Sequence, residues 1–349
     1  MKFNEYLAKK KKLVDEELAK FLPHEFDSKS LDRFHGSVSF EYDVESLSKA
    51  LCDPIWDLLD RGGKRWRPAL MLLFYELLGG KDDVLKYTVI PEILHNGTLL
   101  VDDIEDSSEL RRGKPCVHKS FGVDVAINAG NSMYFLPFDV VLKSDLDDST
   151  KNKIYELIST EMMKLHSGQA LDIWWHKTSK NNVSVDQYCQ MCAFKTGTLA
   201  RLSAKLGVVL ANGSVEDQNV LSKFAERVGV AFQIKDDILN IKPSDKWGKD
   251  RGDDITEGKM SLLVIRTLDV ASDTDKSRLL EILGLHTKDV SLINEAIEII
   301  LKYDSVEFVN KFAKDLVEES WLEVSNKYPE SSAKTLVGEF ASYLIDRDV

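Results

Sequence analysis

The sequence predicts an all-α protein, a single large helical bundle around a central cavity. Three observations carry that expectation. From Val44 onward, apolar residues recur at helical intervals almost without interruption. No run of alternating β-branched residues marks out a strand. The breaks are short (Arg61-Gly62-Gly63, Gly79-Gly80, residues 144–150, 179–182, 211–214 and 242–252), and none has the length or composition of a linker between domains. Residues 1–349 therefore read as one domain of roughly a dozen helices, with 1–43 forming an N-terminal helix and its polar connector.

Residues 2–21 are amphipathic and highly charged, with lysines at positions 9, 10, 11 and 12. This stretch lacks the apolar core of a signal peptide and is too acidic for a typical transit peptide. No run of apolar residues is long enough to span a bilayer, so the expected location is the cytoplasm. The net charge of −12 argues against nucleic acid as a partner, because that footprint is basic. It also means that any polyanionic ligand must be drawn in by local Lys and Arg, against the overall field. Cys52, Cys116, Cys189 and Cys192 are too few and too scattered for a disulfide framework. Cys189-x-x-Cys192 lacks a second pair or His partners, so helical core thiols are expected there instead of a zinc site.

Arg61-Gly62-Gly63-Lys64-Arg65-Trp66-Arg67-Pro68 places two glycines before a helix that Pro68 can open near its first turn. Free N–H groups at such a terminus, with Lys and Arg beside them, suit a phosphate. The next signal is Leu99-Leu100-Val101-Asp102-Asp103-Ile104-Glu105-Asp106, the end of an apolar helix opening onto a loop with Arg111-Arg112-Gly113. Asp102, Asp103 and Asp106 fall within a sector of about 100°. Three carboxylates so placed repel one another and are costly to desolvate unless cations bridge them. Oxygen ligands suit hard cations, and Mg²⁺ is commonly held by a few carboxylates together with substrate phosphates. Asp236, Asp237 and Asn240 repeat the spacing far downstream, with an amide at the third place. Two such helices facing each other would grip a diphosphate through metal ions.

These motifs, in this order, resemble those of the trans-isoprenyl diphosphate synthases, and most closely those of the eukaryotic-type geranylgeranyl diphosphate synthases. The resemblance runs from about residue 53 to about 342 and includes His95, Lys195-Thr196-Gly197, Gln233 and residues 254–259. The subgroup shows in Met133-Tyr134-Phe135, His166-Ser167-Gly168-Gln169 and Asn240. The family pattern implies Mg²⁺-dependent head-to-tail condensation of isopentenyl diphosphate with an allylic diphosphate. It implies Mg²⁺ on Asp102, Asp106 and Asp236, with Asp103, Asp237, Lys195, Thr196 and Gln233 completing the catalytic set. Lys64, Arg67, His95 and Arg112 would hold isopentenyl diphosphate, with Arg65 left open. Arg111, Lys195, Lys249 and Lys259 would hold the allylic diphosphate. Asp254 is the residue of the loop that follows Asn240 whose position best matches a carboxylate reaching metal-bound water. A homo-oligomer is implied by the family alone.

Gly97 and Thr98 lie roughly 6 Å before Asp102 at about 1.5 Å per residue, and both are small. Farnesyl-producing relatives tend to carry aromatics there, so the growing chain would pass them. It would stop at a floor that the subgroup places at Tyr134, Phe135 and His166, giving geranylgeranyl diphosphate. Longer- or shorter-chain synthases are the near alternatives. A terpene cyclase needs N-D-x-x-S-x-x-x-E, whose four places hold Asp236, Asp237, Asn240 and Ser244 here, so only one matches. A head-to-head synthase lacks the Gly-Gly-Lys-Arg-x-Arg-Pro motif, and a non-catalytic subunit would have lost the aspartates.

Overall fold

The computed structural model describes residues 2–178, 182–243 and 251–345. These residues are helical apart from turns, loops and one small hairpin. The chain divides into two compact units, Met1–Leu157 with Leu206–Gly213, and Ile158–Lys205 with Ser214–Val349. The helical segments outnumber those expected, because short helices such as Ser28–His35, Val117–Phe121 and Asp253–Glu257 stand between the long ones.

The first unit runs through α1 (Phe3–Phe21), α2 (Ser28–His35) and α3 (Val44–Leu47), then a wider π-helical turn (Ser48–Cys52) into α4 (Asp53–Leu59). After α5 (Trp66–Leu77) and α6 (Val89–Glu105) come β1 (Leu110–Arg111), β2 (Lys114–Pro115), α7 (Val117–Phe121), α8 (Val123–Leu142) and the start of α9 (Asp148–Lys177). The hairpin departs from the expectation of no strand, since two-residue strands are too short to show alternation. Leu110 pairs with Pro115 and Arg111 with Lys114. Arg112 and Gly113 at its tip have φ of 53° and 75°, the two positive values that a type I′ turn requires.

The second unit continues α9 and adds α10 (Val185–Lys195), α11 (Gly197–Leu210), α12 (Val215–Ile241) and α13 (Asp253–Glu257). It ends with α14 (Leu262–Val270), α15 (Asp273–Gly284), α16 (Val290–Lys302), α17 (Ser305–Lys327) and α18 (Ser332–Ile345). The start of α12 is set by a reciprocal cap. Ser214 Oγ accepts from Asp217 N (3.1 Å), and the Asp217 carboxylate accepts from Ser214 N (2.9 Å). Val220, Phe224, Val228, Ala231, Ile234 and Ile238 then bury one stripe at helical spacing, each of the large ones contributing about 1.5–3 kcal/mol. That stripe fixes which way Asp236 turns at the other end.

Candidate active site

The basic turn of the first unit is built from strained backbone. Arg65 caps α5 with φ 52°, Gly62 and Gly63 have φ 80° and 148°, and Arg112 at the hairpin tip has φ 53°. A non-glycine residue in this region costs roughly 1–2 kcal/mol, so the packing around Arg65 and Arg112 must hold them there. A Cβ on Gly63 would lie 3.2 Å from Arg112 Nη2 and 3.3 Å from Arg65 Nη1, so only glycine lets both guanidiniums close on the turn. Arg112 donates to Leu58 O (3.2 Å), to Gly62 O, and to Asn96 Oδ1 (3.3 Å). Burial and the neighbouring Arg65, Arg111 and Arg61, partly offset by Glu92, bring Arg112 down to about 10, still charged at neutral pH. Arg67 is buried with its guanidinium 4.4 Å over the Trp66 ring, and Lys64 is exposed. His95 on α6 is held well below the ordinary histidine range by burial and by Arg67, Arg112, Arg111 and Arg65. It is therefore a neutral imidazole amid cations, able to donate one hydrogen bond without adding charge.

The structure settles the position left open for Arg65. Its side chain is 2 % exposed and is taken up by Glu92 on α6 (Nη1–Oε1 2.6 Å), by Asp15 on α1 (Nε–Oδ1 2.8 Å), and by Leu59 O (3.0 Å). Asn96 Nδ2 adds a bond to the same Glu92 oxygen at 2.8 Å. Arg65 is a strut that positions the turn, its guanidinium taken up by acceptors of the protein.

At the C-terminal end of α6 the three aspartates divide their roles. Asp103 is 1 % exposed and accepts from Arg111 Nε at 2.8 Å. Asp102 and Asp106 are half-buried, one helical turn apart, and Asp102 lies 3.7 Å from Arg111. Arg111, read as an allylic diphosphate contact, is thus held by the aspartates.

The second unit repeats the division. Asp237 is 5 % exposed and accepts from Tyr188 Oη (2.6 Å) and Gln233 Nε2 (3.0 Å), whereas Asp236 is half-buried. Burial, then the nearby Asp254 and Asp236 carboxylates, push Asp237 up to about 7 against those hydrogen bonds. Thr196 marks the break between α10 and α11, near Gly197 where the sequence places a kink, and its hydroxyl donates to Gln233 Oε1 at 2.9 Å. Lys195 Nζ meets Asp172 at 2.6 Å, and Lys259 Nζ meets Glu257 and lies 3.8 Å from Asp254. Although burial raises its pKa, the ammoniums of Lys195 and Lys259 hold the Asp172 carboxyl below the usual range. Asp172, Tyr188, Lys195, Gln233, Asp237, Asp254 and Lys259 line a cleft with about 40 Å³ of interior space. Lys249 falls outside the described residues.

Residues 48–300 match the family model described as polyprenyl synthetase. The chain belongs to that family. The geranylgeranyl diphosphate synthase of Saccharolobus solfataricus is 35 % identical over 302 residues, 84 % of this chain and 90 % of that protein. The geranylfarnesyl diphosphate synthase of Natronomonas pharaonis is 31 % identical over 310 residues, 83 % and 88 % of the two chains. The crystal structure of a geranylgeranyl pyrophosphate synthetase from Pyrococcus horikoshii has a TM-score of 0.84 at 31 % identity, covering 98 % of each chain. The chain is accordingly a prenyltransferase of the all-α isoprenoid synthase fold.

Several expectations for this polyprenyl synthetase need correction. A Cβ on Gly97 would lie 2.8 Å from Met133 Cβ, 3.1 Å from Gly130 O and 3.3 Å from Tyr134 Cε1. Gly97 is therefore small because α6 and α8 cross there, and leaves no space of its own for a prenyl chain. Phe135 is 71 % exposed, whereas Tyr134 is half-buried, since successive helical residues point about 100° apart. The two do not share one wall. His166 on α9 is exposed, and Thr98 donates to His95 O at 2.8 Å. Asn240 is 3 % exposed and its side-chain oxygen accepts from Asp254 N at 3.2 Å. It pins the start of α13. Tyr188 and Asp172 escape sequence reasoning, because nothing local in sequence shows which buried hydroxyl or carboxylate meets Asp237 or Lys195.

Proposed function

We propose that this enzyme condenses isopentenyl diphosphate with an allylic diphosphate (dimethylallyl, geranyl or farnesyl) head to tail, with geranylgeranyl diphosphate as its main product. One observation carries the reading. In each aspartate motif the second carboxylate is consumed by protein donors, Arg111 for Asp103 and Tyr188 with Gln233 for Asp237, while the first stays half-buried beside other charges. That separates the carboxylates buried among protein donors from the half-buried ones, which this reading offers to a ligand. The offered donors fit Mg²⁺, since they are hard oxygens, few at each helix end, for a cation that shares waters and substrate phosphates. Asp102, Asp106 and Asp236 would hold Mg²⁺ ions, which would supply charge neutralisation for the leaving diphosphate.

The remaining residues bind, orient and exclude water. Lys64, Arg67, Arg112 and the neutral His95 hold the isopentenyl diphosphate, so that its double bond meets the allylic carbon as the carbon–oxygen bond breaks. The proton lost afterwards goes to the released diphosphate, and no side chain has to be a strong base. Lys195 and Lys259, with Lys249 by its motif position, take the allylic diphosphate. Backbone carbonyls freed at the break by Thr196, together with Gln233, face the developing positive charge. Thr98 and Tyr134 bound the growing chain.

We further propose that residues 1–349 work as one catalytic domain and that the protein assembles as a homodimer in the cytoplasm. Val123, Ile127, Phe135 and Leu142 form an exposed apolar stripe along α8 that a second copy would cover. The four cysteines are free thiols, which suits a reducing compartment. No helix among the described residues is long and apolar enough to cross a membrane.

The deciding experiment supplies isopentenyl diphosphate with each allylic primer, with and without Mg²⁺, and resolves the products by chain length. Asp102→Ala and Asp236→Ala should lose turnover by several orders of magnitude while remaining folded, because removing clustered like charges relieves repulsion. Metal-independent turnover, or near-normal activity in Asp102→Ala, sinks the reading.

A further inference from the structure

The basic turn has a neighbour that lies outside the stretch matched by the family model, which begins at residue 48. The N-terminal helix α1 is tied to the turn by Asp15, whose carboxylate takes Arg65 Nε at 2.8 Å. It is tied to α5 by Lys10, whose Nζ reaches Glu76 at 2.7 Å. With those two contacts made, Lys11 points at the glycine pair. A Cβ on Gly62 would lie 3.8 Å from Lys11 Nζ. Lys11 is half-buried, while Lys9 and Lys12 on the same helix are exposed.

The charges around this turn fall into two sets. Arg61 is paired with Asp57, Arg65 with Asp15 and Glu92, and Arg111 with Asp103, so each of these guanidiniums has a carboxylate from the protein. Lys11 has no salt bridge among the described residues, and Arg112 donates to two carbonyls and an amide, all neutral. Two cations with no salt bridge among the described residues therefore converge on one glycine turn of an acidic protein. Like charges brought together in this way need an anion between them.

We propose that Lys11 is a further diphosphate-binding residue, reaching over Gly62 to the diphosphate of isopentenyl diphosphate, and that the Asp15–Arg65 pair positions it. The inference rests on the reading of this turn as the isopentenyl diphosphate site. Lys11 supplies a point charge, and the compact glycine turn leaves the phosphate oxygens within its reach.

The test is steady-state kinetics on the full chain with Mg²⁺ and geranyl diphosphate, comparing Lys11→Ala, Lys11→Arg and Lys64→Ala, with thermal unfolding of each. Lys11→Ala should raise KM for isopentenyl diphosphate about tenfold. Its kcat, its KM for geranyl diphosphate and its unfolding temperature should stay unchanged. Lys11→Arg should return KM to within about threefold of the parent, because the charge is restored. An unchanged KM in Lys11→Ala alongside a raised KM in Lys64→Ala would overturn the role of Lys11 and leave the site assignment standing. Unchanged KM in both variants would overturn the site assignment itself, and the inference with it. Equal weakening of both substrates with a lowered unfolding temperature would reduce Lys11 to a structural contact and overturn the proposal.

Discussion

Replacing Arg65 tests whether it is a strut or a substrate ligand. In the folded protein its guanidinium and the Glu92 carboxylate are 2 % and 3 % exposed and 2.6 Å apart. Arg65→Ala would leave the buried Glu92 carboxyl without its guanidinium, with Asn96 Nδ2 at 2.8 Å as its remaining side-chain hydrogen-bond donor. Breaking a buried pair from one side in this way costs about 3–5 kcal/mol. Alanine keeps the backbone strain at φ 52°, so the loss reports the ion pair and not relief of that strain. Removing both charges in Arg65→Met/Glu92→Met should recover all but about 1–2 kcal/mol, because no charge is then stranded. Urea unfolding of the parent, Arg65→Met, Glu92→Met and the double variant closes the cycle, read from midpoints at constant slope. A loss under about 1 kcal/mol in Arg65→Ala, or additive single effects, would refute the strut.

Three other outcomes follow from the same geometry. His95 keeps its proton off while folded, but an unfolded histidine titrates near 6.5. Below that pH the unfolded chain binds a proton that the native state refuses, so stability is intact above about 6.5 and falls as pH drops. The parent should lose about 1.4 kcal/mol more than His95→Gln between pH 8 and 5.5, measured by urea unfolding without metal, and identical profiles would contradict it. Asn240→Asp keeps an acceptor for Asp254 N and should hold activity within about tenfold, whereas Asn240→Leu releases α13 and should fall well below that; equal turnover in the two would remove the pinning role. Chromatography of dephosphorylated products should show shorter chains from Thr98→Phe, longer ones from Tyr134→Ala, and no change from the outward-facing Phe135→Ala. A shift in the last variant would place Phe135 at the floor after all.

Much of this protein was legible before any coordinates. Helix follows from the periodicity of apolar residues along one segment, and the aspartate spacing at 102–106 and 236–240 is itself a helical quantity. The break at Thr196 and the glycine pair at 62–63 are equally local, one a kink signal and the other a turn signal. Sequence spacing defines the angle of a side chain about its own helix axis. It does not say what stands at that angle. Spacing by itself gives Asp103 and Asp237 the same standing as Asp102 and Asp236, and only the folded chain shows Arg111 and Tyr188 against them. For the same reason Gly97 looked like open space, until the tertiary structure put α8 there. Phe135 looked like a partner of Tyr134, and only packing turned it outward. The hairpin at 110–115 was too short to carry a pattern. Asp15, Arg65 and Glu92 are separated by 50 and 27 residues in sequence. Sequence alone determined the helices and the chemistry they carry. Which of those charges are consumed in holding the fold, and which are left to meet a ligand, was decided by contacts between distant segments.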